Sequence, residues 1–298
     1  MKCPTALKSG DKVIVVATAK RLESSIEAGL ETLEKWGLDV MIDDIVHKQE
    51  GYFAGTDRER IKGLQNALDN PEIKAVIFAR GGYGTTRILD KIDFRKFQTQ
   101  PKWLVGFSDL TSMLLQANRF KIPSIHGPVA LTIGQDAESD EYLKALLFGQ
   151  RKFEYPLEPS SLTISGDCSG KIVGGNLTLV CESIGAANEI DTANNILFLE
   201  EVGEAKYSID RMFNKLQRVG KLEQLAGVII GSFSNITDPQ NYFEEDVDEL
   251  IHNYFAHLDI PVAYGLSAGH EKENYPLIMG VKSNVRIDNS SLSIEYLD

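Results

Sequence analysis

Residues 102–117 read KWLVGFSDLTSMLLQA and contain the two patterns on which the fold depends. The stretch WLVGF (103–107) is apolar throughout, which is typical of a parallel strand that is buried on both faces. A helix is predicted from Asp109 onward, with apolar residues at helical spacing: Leu110, Met113, Leu114 and Ala117. A buried strand that leads directly into an amphipathic helix is the repeating unit of an α/β fold.

Outward from this unit, the first half of the chain repeats the alternation of strand and helix. Three further strands are predicted, at KVIVVA (12–17), LDVMID (38–43) and KAVIFA (74–79). The sequence also predicts one helix with an apolar face from Leu22 to Trp36, and another that begins at the capping box of Thr56 and Glu59. This order predicts that residues 1–150 form a doubly wound α/β domain with a parallel sheet.

The pattern changes after residue 150. Residues 151–166 contain prolines and serines without helical periodicity and are predicted to be a linker. Residues 167–298 are predicted to form a smaller, mixed α/β domain. Its predicted elements are the strands ILFLE (196–200) and GVIIGS (227–232), a long acidic amphipathic helix at 243–257, and a hairpin in the last fifteen residues.

The composition is that of a soluble globular protein, with a net charge of −12. Lys and Arg form no basic stripe, so neither nucleic acid nor a membrane is an expected partner. The sequence has no run of 18 apolar residues and no apolar signal-peptide core, and its three cysteines lack the spacing of a metal site. We therefore expect a cytoplasmic protein that contains no metal and no cofactor.

Ser108 stands at the corner between the predicted strand and helix, where two interpretations compete. A serine at this position is a common N-cap of a helix. It also resembles a nucleophile elbow, in which a tight turn presents a reactive hydroxyl above the carboxyl end of the sheet. The local sequence GFSDL lacks the second glycine of the G-x-S-x-G motif, so the motif alone does not decide between them.

The loop RGGYG (80–84) follows a predicted strand at the same end of the sheet. Its glycines permit positive φ angles and bring backbone N–H groups close to a ligand, as the binding of a phosphate or an oxyanion requires. The loop lacks the Lys-Ser or Lys-Thr of a Walker A sequence, which argues against nucleotide chemistry. A plain tight turn is the alternative.

A serine nucleophile needs a base, and that base is usually oriented by a carboxylate. His270 lies in a polar loop between two apolar strands, and the other histidines are His47, His126, His252 and His257. Glu200 and Glu201 end a predicted buried strand, where an unpaired charge is costly. Because side chains alternate along a strand, we expect one of the two to point inward; the alternatives are Glu204 and Asp210.

Together these stretches resemble the LD-carboxypeptidases, a family of serine peptidases that includes murein tetrapeptide carboxypeptidases and microcin C self-immunity proteins. The resemblance runs nearly from end to end of the chain. The segments that carry it include FAGTDRERIKGLQNAL, ARGGYGTTRILD, GFSDLT, GKIVGGNLTLV, FLEEVGEAKYSIDRMF and GHEKENYPLIMG. After the first strand, this chain has ATAK where relatives often have a proline-serine turn.

The resemblance implies a catalytic triad in the chain order Ser108, Glu200, His270. It assigns the oxyanion hole to the backbone N–H groups of Gly82, with Gly81 as an alternative, and of Asp109. The nucleophile is then expected in the N-terminal domain and the other two residues in the C-terminal domain, with the active site in the cleft between them. Family members are often dimers, so a homodimer is expected.

The reaction that the resemblance implies is hydrolysis of the bond to the terminal D-alanine of a peptidoglycan tetrapeptide, in cell-wall recycling and without a cofactor. Arg80 and Tyr83 are candidate substrate contacts, and Arg87 and Lys206 are further candidates for binding the substrate carboxylate. One alternative is an immunity hydrolase of the microcin C type, which cleaves an aminoacyl-adenylate analogue. A second alternative is a non-catalytic module whose RGGYG loop binds an anion.

Overall fold

The computed structural model describes residues 2–297 and divides the chain into two compact units. The first unit contains Met1–Gln150 and Pro276–Met279, and the second contains Arg151–Tyr275 and Gly280–Asp298. The strands are β1 (Lys12–Val16), β2 (Asp39–Ile42), β3 (Ile73–Phe78), β4 (Trp103–Gly106), β5 (Ser124–His126), β6 (Lys152–Pro156), β7 (Gly166–Asn176), β8 (Ile196–Val202), β9 (Gly227–Ser234), β10 (Val262–Ala263), β11 (Leu277–Met279), β12 (Lys282–Ile287) and β13 (Ser291–Tyr296). The α-helices are α1 (Glu27–Lys35), α2 (Asp57–Asp69), α3 (Thr85–Leu89), α4 (Arg95–Thr99), α5 (Thr111–Arg119), α6 (Ala137–Leu147), α7 (Leu177–Ser183), α8 (Lys206–Arg218) and α9 (Val247–His252).

In the first unit, six strands form one sheet in the order β11-β5-β4-β3-β1-β2. Strands β1 to β5 run parallel, whereas the three-residue β11 is antiparallel to β5. Strands β1, β3 and β4 are buried along almost their whole length, as their apolar runs predicted. Because parallel strands point the same way, the loops that follow them leave the sheet at one edge. The predicted doubly wound α/β fold class of this unit is confirmed, with β11 as an added antiparallel strand at the edge of its sheet.

The helices of the first unit cover this sheet with their apolar faces. Helix α1 buries Leu30 and Leu33, as its periodicity predicted. Helix α2 begins at the predicted capping box, in which Oγ1 of Thr56 accepts the N–H of Glu59 and the Glu59 carboxylate accepts the N–H of Thr56. These caps and the burial of the apolar faces hold the helices in place against the sheet.

In the second unit, seven strands form a mixed sheet in the order β10-β9-β8-β7-β12-β13-β6. Strands β7 to β10 pair in parallel with one another, whereas β12 pairs antiparallel with both β7 and β13, and β13 pairs antiparallel with β6. The predicted C-terminal hairpin is formed by β12 and β13, which confirms the mixed α/β class of this unit. No helix within residues 2–297 is both long and apolar enough to span a lipid bilayer.

Two segments differ from the sequence prediction. The expected linker 151–166 includes β6, in which Phe153 and Tyr155 are buried and their neighbours are exposed. Pro156 is tolerated because β6 is an edge strand. The predicted helix at 243–257 is wrong in its bounds: α9 begins only after Asp246, because the carboxylate of that residue caps the helix, and it ends at His252.

Candidate functional site

The chain enters an unusual turn where β4 ends. Phe107 is extended, and Ser108 has a φ of +64° before the chain continues through a 3-10 turn (Ser108–Leu110) into α5. Positive φ is uncommon for a residue other than glycine, and such strained backbone clusters at functional positions. Ser108 is partly exposed, so its hydroxyl is accessible at the carboxyl edge of the sheet.

The backbone at this corner argues against the N-cap interpretation of Ser108. An N-cap residue has extended backbone angles, and its side chain accepts an N–H of the first helical turn. The cap positions here are Phe107 for the 3-10 turn and Leu110 for α5, and neither helix start has a side-chain cap bond. Ser108 therefore does not act as a cap, and its left-handed turn has the geometry of a nucleophile elbow.

The RGGYG loop packs directly against this turn. A Cβ atom placed on Gly81 would lie 3.0 Å from Cβ and 3.2 Å from Oγ of Ser108. A side chain at position 81 would therefore crowd the Ser108 hydroxyl, which would have to shift to make room for it. The next glycine, Gly82, has a φ of +118°, a region that residues with a Cβ rarely adopt.

Asp109 connects the loop to the turn through its side chain. Its buried carboxylate accepts the backbone N–H of Thr85, the residue directly after the loop, at 2.9 Å. Burial raises the pKa of the Asp109 carboxyl, although hydrogen bonds from Thr85 and Gly84 act in the opposite direction. The residue that follows Ser108 thus fixes the end of the RGGYG loop, while its own backbone N–H is the expected oxyanion donor.

A buried arginine, which the sequence analysis missed, holds the same end of the loop. Arg60 is fully buried on α2 and donates to the carbonyl oxygens of Gly84 at 3.0 Å and Thr18 at 2.5 Å. Its guanidinium also pairs with Asp57 and lies 4.6 Å from the ring centre of Phe53. Its position on the buried face of α2 was the available signal, but an arginine in a helix is normally expected to be exposed.

Three of the four candidate substrate contacts, Arg80, Tyr83 and Arg87, lie in this loop or in the helix directly after it in the first unit. Arg80 donates to the carbonyl oxygen of Arg21 at 3.2 Å and lies 3.6 Å from the carboxylate of Glu23. Tyr83 is 51% exposed, so it is accessible to a ligand. Arg87 forms a bidentate ion pair with Asp57. Lys206, in the second unit, donates to the carbonyl oxygen of Glu245.

In the second unit, the structure brings Glu200 and His270 together. Oε2 of Glu200 lies 2.7 Å from Nδ1 of His270, and Glu200 has no exposed surface. A Cβ atom on Gly269 would lie 2.9 Å from that same carboxylate oxygen, so glycine at 269 leaves the space that the contact needs. The loop is held by Asn274, whose side-chain oxygen accepts the Gly269 N–H at 2.9 Å.

This contact sets the protonation of the imidazole. A carboxylate oxygen only accepts hydrogen bonds, so Nδ1 of His270 carries the proton in the neutral ring, and Nε2 is the nitrogen that can accept one. Burial on its own lowers the pKa of His270, but the hydrogen bond and the negative charge of Glu200, assisted by Glu201 and Glu271, outweigh it and raise the pKa. The ring therefore has a basic nitrogen, Nε2, and the negative charge of Glu200 stabilises its charged form.

Glu201, the neighbour of Glu200, has a different role. Its buried carboxylate accepts Nδ2 of Asn176 at 2.8 Å, the backbone N–H of Thr178 at 2.8 Å and that of Val202 at 2.9 Å. These bonds anchor the first turn of α7 to the end of β8. Of the two glutamates left open by the sequence, Glu200 contacts the histidine and Glu201 stabilises the framework.

The remaining histidines occupy different parts of the fold, and His126 lies against the residue before Ser108. His126 is fully buried at the end of β5 and packs its ring edge-on to Phe107, with centroids 6.0 Å apart. His252 lies at the end of α9, where its ring faces Tyr264. His47 and His257 are exposed. Among residues 2–297, no three His, Cys, Asp or Glu side chains are grouped so as to hold a metal ion.

Both units of the chain match models of the same protein family. A family model described as the LD-carboxypeptidase N-terminal domain matches residues 13–127, and one described as the LD-carboxypeptidase C-terminal domain matches residues 169–285. The chain is 34% identical to the probable murein peptide carboxypeptidase of Bacillus subtilis, over 98% of this chain and 94% of the relative.

Solved structures share the same architecture. The crystal structure of muramoyltetrapeptide carboxypeptidase from Oxalobacter formigenes has a TM-score of 0.87 and 26% identity, and the match covers 96% of this chain and 99% of that one. The microcin C7 self immunity protein MccF, in complex with aspartyl sulfamoyl adenosine, also has a TM-score of 0.87, with 98% coverage of both chains. Its identity of 20% shows a common fold alone.

Proposed function

The chain belongs to the LD-carboxypeptidase family, and we propose that it is the member that releases the terminal D-alanine from murein tetrapeptides. The relatives named for murein peptides support this substrate, since they match at higher identity than the microcin immunity protein does. The observation that carries the serine mechanism is the left-handed backbone of Ser108, with the glycine loop packed against its hydroxyl.

In the proposed first step, Oγ of Ser108 attacks the carbonyl carbon of the bond to the terminal D-alanine. Nε2 of His270 accepts the hydroxyl proton as the new C–O bond forms, and Glu200 stabilises the resulting imidazolium. The backbone N–H groups of Gly82 and Asp109 bind the tetrahedral oxyanion. Loss of one such donor typically costs about 10²- to 10³-fold in kcat.

In the following steps His270 acts first as an acid and then again as a base. The C–N bond breaks as the His270 imidazolium donates its proton to the amine of D-alanine, which leaves a tripeptide acyl group on Ser108. Neutral His270 then takes a proton from water, which attacks the acyl carbonyl, and the Ser108 hydroxyl is regenerated with release of the tripeptide. Each proton is taken and returned by the same imidazole nitrogen.

A defined tetrapeptide tests this function most simply. Wild type and Ser108→Ala are incubated with the peptide, and D-alanine and tripeptide are quantified by mass spectrometry. We expect release by wild type and a loss of several orders of magnitude in Ser108→Ala, whereas Ser9→Ala, at an exposed serine of the same unit, retains full activity. Turnover of an aminoacyl sulfamoyl adenosine in place of the peptide would overturn the proposed substrate.

Two properties accompany this proposal. Cys168 and Cys181 are free thiols, which suits a reducing compartment, so we propose a cytoplasmic location, tested by cell fractionation. Since many family members are dimers, we also propose a homodimer, tested by light scattering of the purified chain.

A further inference from the structure

A short ribbon follows the carboxyl end of β1 and lies against the glycine loop. Its two segments are joined by the hydrogen bonds Ala54 N–H to Ala19 O at 3.0 Å and Arg21 N–H to Tyr52 O at 3.1 Å. A Cβ atom on Gly82 would lie 2.7 Å from Cβ of Lys20. The ribbon therefore packs directly against the loop residue that is the proposed oxyanion donor.

Three cationic side chains, two from the ribbon and one from the glycine loop, surround one carboxylate. Glu23 lies 2.6 Å from Nζ of Lys20, 3.6 Å from the Arg80 guanidinium and 3.9 Å from that of Arg21. These cations hold the pKa of Glu23 below its usual value, with the hydrogen bond from Lys20 as the largest cause. Within residues 2–297, no other carboxylate forms an ion pair with these three cations.

This concentration of positive charge is unusual in a chain with a net charge of −12. Like charges repel, so three cations gathered around one anion leave an electrostatic preference for a second anion. Nε of Arg80 is also buried without a hydrogen-bond partner, and Glu23 is 46% exposed. Exposed ion pairs contribute little to stability, so Glu23 is held weakly enough to be displaced.

We propose that Lys20, Arg21 and Arg80 form the subsite for the terminal carboxylate of the peptide, and that Glu23 is an internal carboxylate that occupies it until substrate binds. This inference rests on the proposed function. Two successive residues of the glycine loop link the cations to the serine: Gly81 packs against Ser108, and Gly82 packs against Lys20. The subsite and the nucleophile therefore lie next to each other along this loop. The carboxylate of the released residue is one residue beyond the scissile carbonyl, about 3.8 Å along the chain.

The first experiment compares a tetrapeptide that ends in D-alanine with one that ends in D-alaninamide. We expect wild type to prefer the acid and Lys20→Met to lower that preference about 10- to 100-fold, mostly through KM for the acid, because hydrogen bonds to charged groups are worth about that much. The kcat/KM of Lys20→Met for the amide should remain close to that of wild type. An unchanged preference would overturn the subsite.

Lys12→Met is the matched control for Lys20→Met. Lys12 forms a similar surface pair with Glu72, at 2.9 Å, but it begins β1 at the opposite edge of the sheet. The acid-to-amide preference of Lys12→Met should equal that of wild type. A parallel loss in both variants would indicate a general charge effect and would contradict a local subsite.

Glu23→Gln tests the role of the internal carboxylate, and it should change KM for the acid peptide in the direction opposite to Lys20→Met. Removal of a competitor for the cations should lower KM for the acid peptide severalfold and leave KM for the amide unchanged. A purely structural Glu23 would instead raise KM for both peptides or leave both unchanged, and either result would refute its role as an internal occupant. Glu72→Gln, the partner of Lys12, is the control and should change neither KM.

The source of the carboxylate is resolved by one further pair of peptides. Substrates with lysine or diaminopimelate at the third position differ in a side-chain carboxylate but share the same terminus. If Lys20→Met lowered the preference for diaminopimelate over lysine while the acid-to-amide preference remained, the assignment to the terminal carboxylate would be wrong. Absence of turnover by wild type on every peptide would refute the proposed function instead, so the two failures are distinguishable.

Discussion

Nδ1 of His270 lies 2.7 Å from Oε2 of Glu200, and Glu200 is completely buried. A buried carboxylate that ends a strand is costly unless it is paired, and this contact supplies the pairing. The same contact fixes the tautomer of the ring, which leaves Nε2 as the nitrogen that can accept a proton. His270 and Glu200 are therefore arranged as a general base and the carboxylate that orients it.

Replacement of Glu200 should lower kcat without changing KM. Glu200→Gln keeps the size of the side chain but removes the charge that stabilises the imidazolium, so we expect kcat to fall by about 10⁴-fold with little change in KM. In Glu201→Gln, the matched control, the anchor of α7 is weakened, and we expect a lower Tm with kcat within a few-fold of wild type. Equal losses of kcat in both variants would contradict the separate roles.

The pKa of His270 predicts the acid limb of the pH–rate profile. A base must be neutral to accept a proton, so kcat/KM falls as pH decreases through the pKa of His270. Since that pKa is raised, the limb should lie above the ordinary value of 6.5. In Glu200→Gln the pKa should decrease, which NMR titration of the imidazole can measure even where activity is low. An unchanged titration in that variant would show that Glu200 does not control the ring.

Gly81→Ala tests the close packing of the loop against Ser108. The new methyl group would lie about 3 Å from the serine side chain, which displaces the hydroxyl or the loop, and we expect kcat to fall by about 10²-fold. Gly10→Ala is the control, because Gly10 has a φ of +87° and open space around it. It should lower Tm without lowering kcat. If Gly81→Ala kept wild-type kcat, the packing would have no bearing on catalysis.

Arg60 should act on activity through the position of the loop. Arg60→Lys keeps the charge but cannot bond both Gly84 and Thr18 with the same planar geometry, so we expect kcat to fall more than 10-fold with KM nearly unchanged, and Tm to fall. Arg58→Lys, at an exposed position on the same helix, should leave kcat, KM and Tm unchanged. A fall in Tm alone would assign Arg60 a purely structural role.

The sequence patterns predicted the parts of this fold that depend on local periodicity. Continuous apolar runs indicated the buried parallel strands, and the capping box of Thr56 and Glu59 located the start of α2. The edge strand β6 was missed because the prolines and serines at 156–165 dominated the pattern of the segment, although Phe153 and Tyr155 alternate with exposed residues. β11 is three residues long, and nothing local indicates that it joins the first sheet.

At the site, the residue types were predictable but their geometry was not. Alternation along β8 did not show which of Glu200 and Glu201 contacts the histidine, because both are buried and each has its own partners. The left-handed backbone of Ser108 has no sequence signal, since residues other than glycine rarely adopt it. The burial of Arg60 depends on tertiary partners that no local pattern reveals.

The most direct measurement of the central claim is the site of covalent labelling by a fluorophosphonate, which reacts with activated serine hydroxyls. Peptide mapping by mass spectrometry should place the adduct on Ser108 in wild type, tetrapeptide should slow its formation, and His270→Ala should nearly abolish it. Activity should be lost in proportion to labelling. An adduct on another residue, or full activity in a chain completely labelled at Ser108, would contradict the account.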